Sequence, residues 1–479
     1  MCLNDLSYNP SFPFYINISS TMSKNQFASR IGLIAATVGS AVGLGNIWRF
    51  PAETQSNGGA AFLLLYIICV FALGVPVMLA EFAIGRAGRN DAVGSFRTLS
   101  PGKPWWIVGA VGLSASYLIG IFYMVVAGWT LEYLYGSLTG ELFEGVGHLA
   151  AGTDFSGADK VFTEKMNLYI ATPWRAMLFT SLMILINIGV LLKGVAKGIE
   201  RLSNVLMPLL FVVLIALCCV TLTLPGASAG IEWFLKPDFS LITARTVINA
   251  LGQTFFSLSL GMGILITYSS YYPSNTRLGT TSVTVALASL LVAVLVGFVI
   301  FPAVASFGLT DHSLRGTTLV FQTLPEVFAC MPGTRIWASL FFVLLFVAAL
   351  TSTVSIMEVT VAFMETRCKL SRRVSVIVAL CPLFVLSAIC SLSFSSLSSV
   401  TLFGMNIFDL LDNFSTNILL PIAAIGTCVY LGWFAPEGLF RRQLTNQGTI
   451  KSRLNTAVIF IVRYVAPILI ALILVWNLI

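Results

Sequence analysis

The sequence predicts an all-α polytopic membrane protein of about 11 transmembrane helices, built as a 5+5 inverted repeat in which helices 1 and 6 are discontinuous. Three observations carry this. Of 479 residues, 57% are hydrophobic and only 10% are charged, where a soluble domain carries roughly 25% charged residues. Apolar stretches long enough to cross a bilayer recur along the whole chain. Two of them hold clustered glycines near their middles. So little polar material cannot coat soluble domains, which excludes a soluble enzyme, a nucleic-acid binder and a disordered scaffold.

In chain order, the first 21 residues are polar and lack the apolar core of a signal peptide. Residues 1–23 are expected to be a disordered tail, with Met22 a candidate true start. The spans follow at 31–53, 60–85, 105–136, 174–193, 203–224, 245–271, 281–308, 335–366, 373–393, 403–434 and 457–477. All are read as helices, because backbone in lipid must satisfy its own hydrogen bonds. The first five-helix repeat is 24–225, the second 226–440, and 441–479 carries the eleventh helix. Cations cluster between alternate spans, as at Arg86, Arg89, Arg97 and Lys103, or Arg441, Arg442, Lys451 and Arg453. The opposite loops hold Glu141, Glu144, Asp154, Asp159 and Glu164. Placing the basic set inside puts the N-terminus in the cytoplasm and the C-terminus outside a multi-pass protein of the cell inner (plasma) membrane. The net charge of +7 therefore reflects cytoplasmic loops facing a lipid bilayer, with no nucleic acid as partner.

The nine cysteines form no disulfide framework, and most lie in apolar runs as small buried hydrophobes. His148 and His312, the two histidines, fall in polar loops. A transition-metal centre or a Ser/His dyad in the membrane has little to draw on.

The first span contains Gly39-Ser40-Ala41-Val42-Gly43-Leu44-Gly45-Asn46, and the sixth contains Phe255-Phe256-Ser257-Leu258-Ser259-Leu260-Gly261-Met262-Gly263. Each interior glycine weakens a helix by roughly 1 kcal/mol relative to alanine. One such stretch is as well explained by close helix packing. Two, each heading a block of five helices, point to inverted repeats with a binding site at the bilayer midplane.

Residues 39–51, GSAVGLGNIWRFP, together with Asn57-Gly58-Gly59, Gly-Trp-Thr-Leu at 128–131, Lys-Gly-Ile-Glu-Arg at 197–201 and Leu-Thr-Ser at 350–352, resemble the neurotransmitter:sodium symporter family from about residue 24 onward. The type is that of its eleven-helix bacterial amino-acid symporters. The resemblance implies transport of a small-molecule amino-acid substrate with sodium ions, no enzyme activity, and Na+ at two sites as the only cofactor. One site would use the carbonyls of Gly39, Val42 and Ala348 and the hydroxyls of Thr351 and Ser352. The other would use Ala41, Asn46, Ser257, Ser289 and the substrate carboxylate. Bacterial relatives usually carry an acid or amide where Ser289 stands, and Ala293 follows where others have Glu or Ser. Chloride dependence is left open by these two positions.

A carboxylate suits the N-terminus of a half-helix. By resemblance, the Gly43-Leu44-Gly45 backbone and the Tyr123 hydroxyl would hold it. The ammonium would meet the carbonyls of Ala41, Phe256 and Ser257. Family members carrying monoamines have Asp at Gly43, so an amino acid is favoured over an amine. Ile119, Phe256, Ser259, Met262, Ser352 and Ile356 would line a side-chain subsite without fixed charge, suited to a neutral hydrophobic amino acid. Met262 stands where a leucine-transporting relative has Phe, and its adaptability leaves room for larger substrates.

The resemblance also implies gates. Arg49 and Asp412 would close the outer side, with Tyr123 and Phe256 as a lid and Gln253 nearby. Lys24, Phe27, Tyr271 and Glu365 would form a looser inner gate, since lysine cannot reproduce an arginine fork. Glu81 is expected to hold the broken backbone of helices 1 and 6, and Gly198 with Pro208 to frame the fifth helix. Glu132 and Glu358 have no assigned role. The function expected is sodium-coupled import of neutral amino acids by alternating access. The alternatives are a proton-coupled or exchange transporter of the same architecture, and a non-transporting substrate sensor.

Overall fold

The computed structural model describes residues 26–146, 158–308, 318–450 and 454–478. The N-terminal tail, Lys24 and both histidines lie outside the described residues. Among the described residues nine long apolar helices run Ala60–Gly88, Trp106–Thr139, Pro173–Leu191, Val195–Thr221, Leu278–Ser306, Thr334–Arg367, Arg372–Leu392, Ile407–Phe434 and Leu454–Leu478. Two interrupted pairs complete eleven spans. The first span is Arg30–Ala41 followed by Gly45–Ser56, bent by 51° at the break. The sixth is Ala244–Ser257 followed by Ile264–Ser270.

The breaks have local causes. Val42 leaves helical geometry at φ −92, ψ 95. In the sixth span the chain turns through positive φ at Ser259 (54°), Gly261 (80°) and Gly263 (71°), a region costly for residues with a Cβ. Gly261 has a second reason to be glycine, because a Cβ there would lie 2.5 Å from the Leu420 carbonyl oxygen.

The fifth span begins at Val195, earlier than its apolar run at 203. Its first turn is a π-helical stretch, Val195–Glu200, containing Gly198, while Pro208 lies inside the helix proper. Glu200 stays in this polar turn because its carboxylate is turned inward. It accepts from the backbone N–H of Ala28 (2.7 Å) and Ser29 (3.1 Å) and from the Ser29 hydroxyl (2.7 Å). The acid thus satisfies free amides at the start of the first span.

The third and eighth spans pack extensively against each other at the centre. The most apolar window of the eighth span is 83% buried and that of the last span 22%, so the former is core and the latter peripheral. Short connecting helices such as Ala92–Leu99, Ala227–Leu235 and Leu319–Ala329 join the spans.

Candidate substrate and ion site

The two breaks face each other and bond across the gap. The Ser259 hydroxyl donates to the Ser40 carbonyl (2.7 Å), and Gln253 Nε2 donates to the Gly45 carbonyl (3.1 Å). Glu81, fully buried, accepts from the Gly261 N–H through Oε1 at 2.7 Å. Free backbone groups inside a membrane protein need such partners.

Between the breaks lies a small cavity of about 20 Å³, close to the room one water needs. One wall is Ala41, Gly43, Gly45 and Asn46 of the first span, joined by Ser40, which the sequence reading did not single out. The opposite wall is Phe256, Ser259 and Met262 of the sixth span. Ile119 and Tyr123 of the third span and Ser352 and Ile356 of the eighth close it. No lining side chain is charged. Leu44 is fully buried behind the wall, and its N–H donates to the Tyr123 hydroxyl at 3.1 Å. That hydroxyl therefore sits at the N-terminal end of the half-helix that begins at Gly45. Gly43 permits the approach, since a Cβ there would lie 2.6 Å from Ser352 Oγ and 3.1 Å from the Tyr123 hydroxyl.

Asn46 Nδ2 donates to the carbonyl (2.9 Å) and the hydroxyl (2.8 Å) of Ser289. This fixes the amide and leaves Oδ1 buried with no partner. An orphaned buried acceptor calls for an explanation, and a cation ligated at that oxygen supplies one. Ser257 hydrogen-bonds Tyr66 side chain to side chain at 2.7 Å, and the Ser289 hydroxyl reaches the Ser257 carbonyl at 3.4 Å. Tyr66 carried no sequence signal. On the other side, Gly39 packs on Thr351, with a Cβ-to-Cβ separation of 3.3 Å if the glycine had one. Val42 and Ala348 are fully buried beside this contact. The Thr351 hydroxyl donates to Val347 O (3.0 Å) and Ala348 O (3.2 Å) of its own helix. That occupies its proton and leaves oxygen lone pairs for a cation. The buried Ser352 hydroxyl interacts with the Tyr123 hydroxyl. Among the described residues no cluster of three or more His, Cys, Asp or Glu could hold a metal, so the oxygens gathered here are neutral and hard, a set that suits an alkali ion.

The predicted outer ion pair is not formed in this conformation. The Arg49 guanidinium lies 5.3 Å from the Phe256 ring centroid and approaches Glu53 at 3.9 Å. Asp412 makes a side-chain contact with Thr416 at 3.4 Å. A cavity of about 50 Å³ is lined by Arg49, Phe256, Thr416 and Asn417 among others.

On the inner side, Phe27 is buried against the rings of Tyr268, Tyr271 and Tyr272 (centroids 5.9, 6.3 and 6.2 Å). The Tyr271 hydroxyl donates to Glu358 Oε1 at 2.9 Å. Arg372 grips Glu358 with two nitrogens (2.9 and 2.6 Å) and Glu365 with one (3.0 Å). Glu365 is thus joined to Arg372. Glu358, which had no assigned role, is the centre of the network. Its spacing of seven residues from Glu365 puts both on one helix face, the signal that could have found it. Thr366 instead donates to Asp91 at 2.5 Å. Glu132 pairs with Arg175 at 2.6 Å.

Two broken helices, bonded to each other around a small uncharged cavity in a bundle of apolar spans, define a membrane transporter of the secondary, alternating-access class. The comparisons with known proteins narrow this. The model of the sodium:neurotransmitter symporter family matches residues 24–148 and 164–479, and the chain belongs to that family, a family of transporters and not of enzymes. It is 35% identical over 470 residues to a protein of Haemophilus influenzae described as an uncharacterized sodium-dependent transporter, covering 96% of this chain and 99% of that protein. A protein of Bacillus subtilis with the same description is 33% identical over 453 residues, covering 94% and 96%. The crystal structure of MhsT in complex with L-phenylalanine superposes with a TM-score of 0.83 at 40% identity, covering 95% of this chain and 99% of that one. The protein is a sodium-coupled membrane transporter.

Proposed function

We propose that the protein imports neutral, hydrophobic amino acids together with sodium across the plasma membrane, with its N-terminus inside. The observation that carries the reading is the cavity itself. Its walls hold no fixed charge, while the buried oxygen Asn46 Oδ1 has no partner. A zwitterion and sodium complete each other there. The substrate carboxylate lies at the half-helix N-terminus beside the Tyr123 hydroxyl, where backbone amides and the helix dipole favour it. It also supplies the negative charge that a sodium held by Ala41, Asn46 and Ser257 otherwise lacks, while Ser289, whose hydroxyl accepts from Asn46 Nδ2 at 2.8 Å, aims the amide at the ion. A second sodium is held by Gly39, Val42, Ala348, Thr351 and Ser352. Because carboxylate and ion share a site, each raises the affinity of the other.

The subsite formed by Ile119, Met262 and Ile356 takes an apolar side chain. The phenylalanine in the MhsT complex supports an occupant of that kind. Flexible Met262 is the wall most able to yield to a larger side chain.

Uptake of radiolabelled amino acids into proteoliposomes tests this. We expect uptake of several neutral hydrophobic amino acids under an inward sodium gradient and none when choline replaces sodium. Equal uptake in choline, or uptake driven by a proton gradient, overturns the sodium coupling. Uptake of charged amino acids in preference to neutral ones overturns the substrate class.

A further inference from the structure

We propose that Arg463 of the eleventh span, with Trp433 of the tenth, forms a binding site for the phosphate of an anionic phospholipid. Arg463 lies nine residues past Leu454, where its helix begins, or about 14 Å along the axis at 1.5 Å per residue. A cation that far into an apolar helix needs a partner or a route to the interface.

Among the described residues the guanidinium has no acidic partner, and its Nε is buried without an acceptor. Two aromatic rings fix its place instead. Its carbon lies 4.5 Å from the Trp433 ring centroid and 5.5 Å from that of Tyr464. These rings meet edge to face at 5.3 Å. The Trp433 indole N–H donates to the Arg463 carbonyl at 3.2 Å. Gly432 lets the helices close up, since a Cβ there would lie 3.0 Å from Arg463 Cα. Trp433 and Tyr464 are themselves 51% and 42% exposed, the latter on the peripheral last span, so the cleft opens toward lipid. Trp433 is the penultimate residue of the tenth span, which sets the guanidinium at the level where tryptophans mark the membrane interface.

Stacking holds the planar fork by its face and leaves its N–H edges free, and those edges match the paired oxygens of a phosphate. The local charge selects an anionic lipid over a zwitterionic one. From 437 to 463 the chain carries Arg441, Arg442, Lys451, Arg453 and Arg463 against the single acid Glu437. Surplus cations beside a membrane attract anionic headgroups.

Native mass spectrometry of the purified full-length protein, given phosphatidylglycerol or phosphatidylcholine of the same acyl chains, tests the site. One arginine near the surface is worth about a fivefold preference for the anionic lipid. We expect the wild type to retain one phosphatidylglycerol with at least that preference. Arg463→Gln should lower the preference about fivefold, while Arg441→Gln, which removes a charge outside the stacked site, should lower it clearly less. Gel-filtration profiles and sodium-dependent uptake, neither of which this residue should alter, establish that the variants are folded. Trp433→Leu keeps the charge but removes the stacking face, and is expected to weaken the preference. Unchanged lipid retention in Arg463→Gln, equal loss in Arg441→Gln, or displacement of the lipid by excess inorganic phosphate overturns the assignment.

Discussion

The orphaned amide oxygen of Asn46 yields a prediction that separates an ion ligand from the residue that aims it. Asn46→Ala removes Oδ1 and both bonds from Nδ2 to Ser289. An interaction with a charged group contributes about 1.5–3 kcal/mol, so half-saturation by sodium should rise about 10- to 100-fold. Ser289→Ala is different. It deletes the 2.8 Å bond to the hydroxyl but leaves the 2.9 Å bond to the Ser289 carbonyl, which still points Oδ1 toward the ion. Loss of one neutral hydrogen bond costs about 0.5–1.5 kcal/mol, a change of a few-fold. The assay is sodium-dependent uptake at saturating substrate in proteoliposomes, with gel filtration to confirm that both variants are monodisperse. If Ser289→Ala proved as damaging as Asn46→Ala, the serine would be the principal ligand. If Asn46→Ala left the sodium dependence unchanged, the orphaned oxygen would have another explanation and the ion site would be misplaced.

Three further outcomes follow from the same geometry. Gly43→Ala puts a methyl group 2.6 Å from Ser352 Oγ; overpacking of this kind costs about 1–3 kcal/mol, so substrate half-saturation should rise at least fivefold, and an unchanged value in the uptake assay would show that substrate does not approach this backbone. Met262→Phe replaces the yielding wall with a rigid ring, and competition assays should show loss of the larger amino acids before the smaller ones; an unchanged order would remove Met262 from the subsite. Arg372→Ala leaves Glu358, fully buried, without its partner, at a cost of about 3–5 kcal/mol; thermal unfolding in detergent should shift clearly downward, and Arg372→Ala with Glu358→Gln should recover part of the loss.

What the sequence revealed of the fold follows from where the physics is local. The glycine clusters at 39–45 and 261–263 announce unwinding because the penalty for helix is written in those residues alone. Ser259, at φ 54°, follows from no such rule; the turn around it imposes the conformation, and its hydroxyl is held by Ser40. The fifth span was read too short because Lys197, Glu200 and Arg201 look like a loop. Only the contact of Glu200 with residues 28 and 29, more than 170 positions away, makes a polar turn worth burying. The inner network had the same difficulty. Arg372 falls in the short polar stretch between the eighth and ninth spans, and nothing in its neighbourhood along the chain announces Glu358 as its partner. The outer gate shows another limit. Arg49 and Asp412 are legible as intramembrane charges, but whether they touch depends on which conformation the transporter occupies, and a sequence encodes all of them at once.

The uncharged lining of the cavity has a consequence for coupling. A fixed carboxylate beside the ion would hold sodium whether or not substrate was present, and empty carriers would then cycle with sodium bound. With Ser289 in that position and Ala293 one turn on, no carboxylate lines the cavity. Neutral oxygens alone hold an alkali ion weakly, because they must replace its hydration without supplying counter-charge. The substrate carboxylate provides that charge within the same cavity, and a cation–anion contact in a site shielded from water is worth far more than at a surface. Substitution of Ser289 by Asp would move the negative charge from cargo to protein. Sodium binding would then depend less on substrate, and the linkage that lets an ion gradient drive uptake would loosen with it.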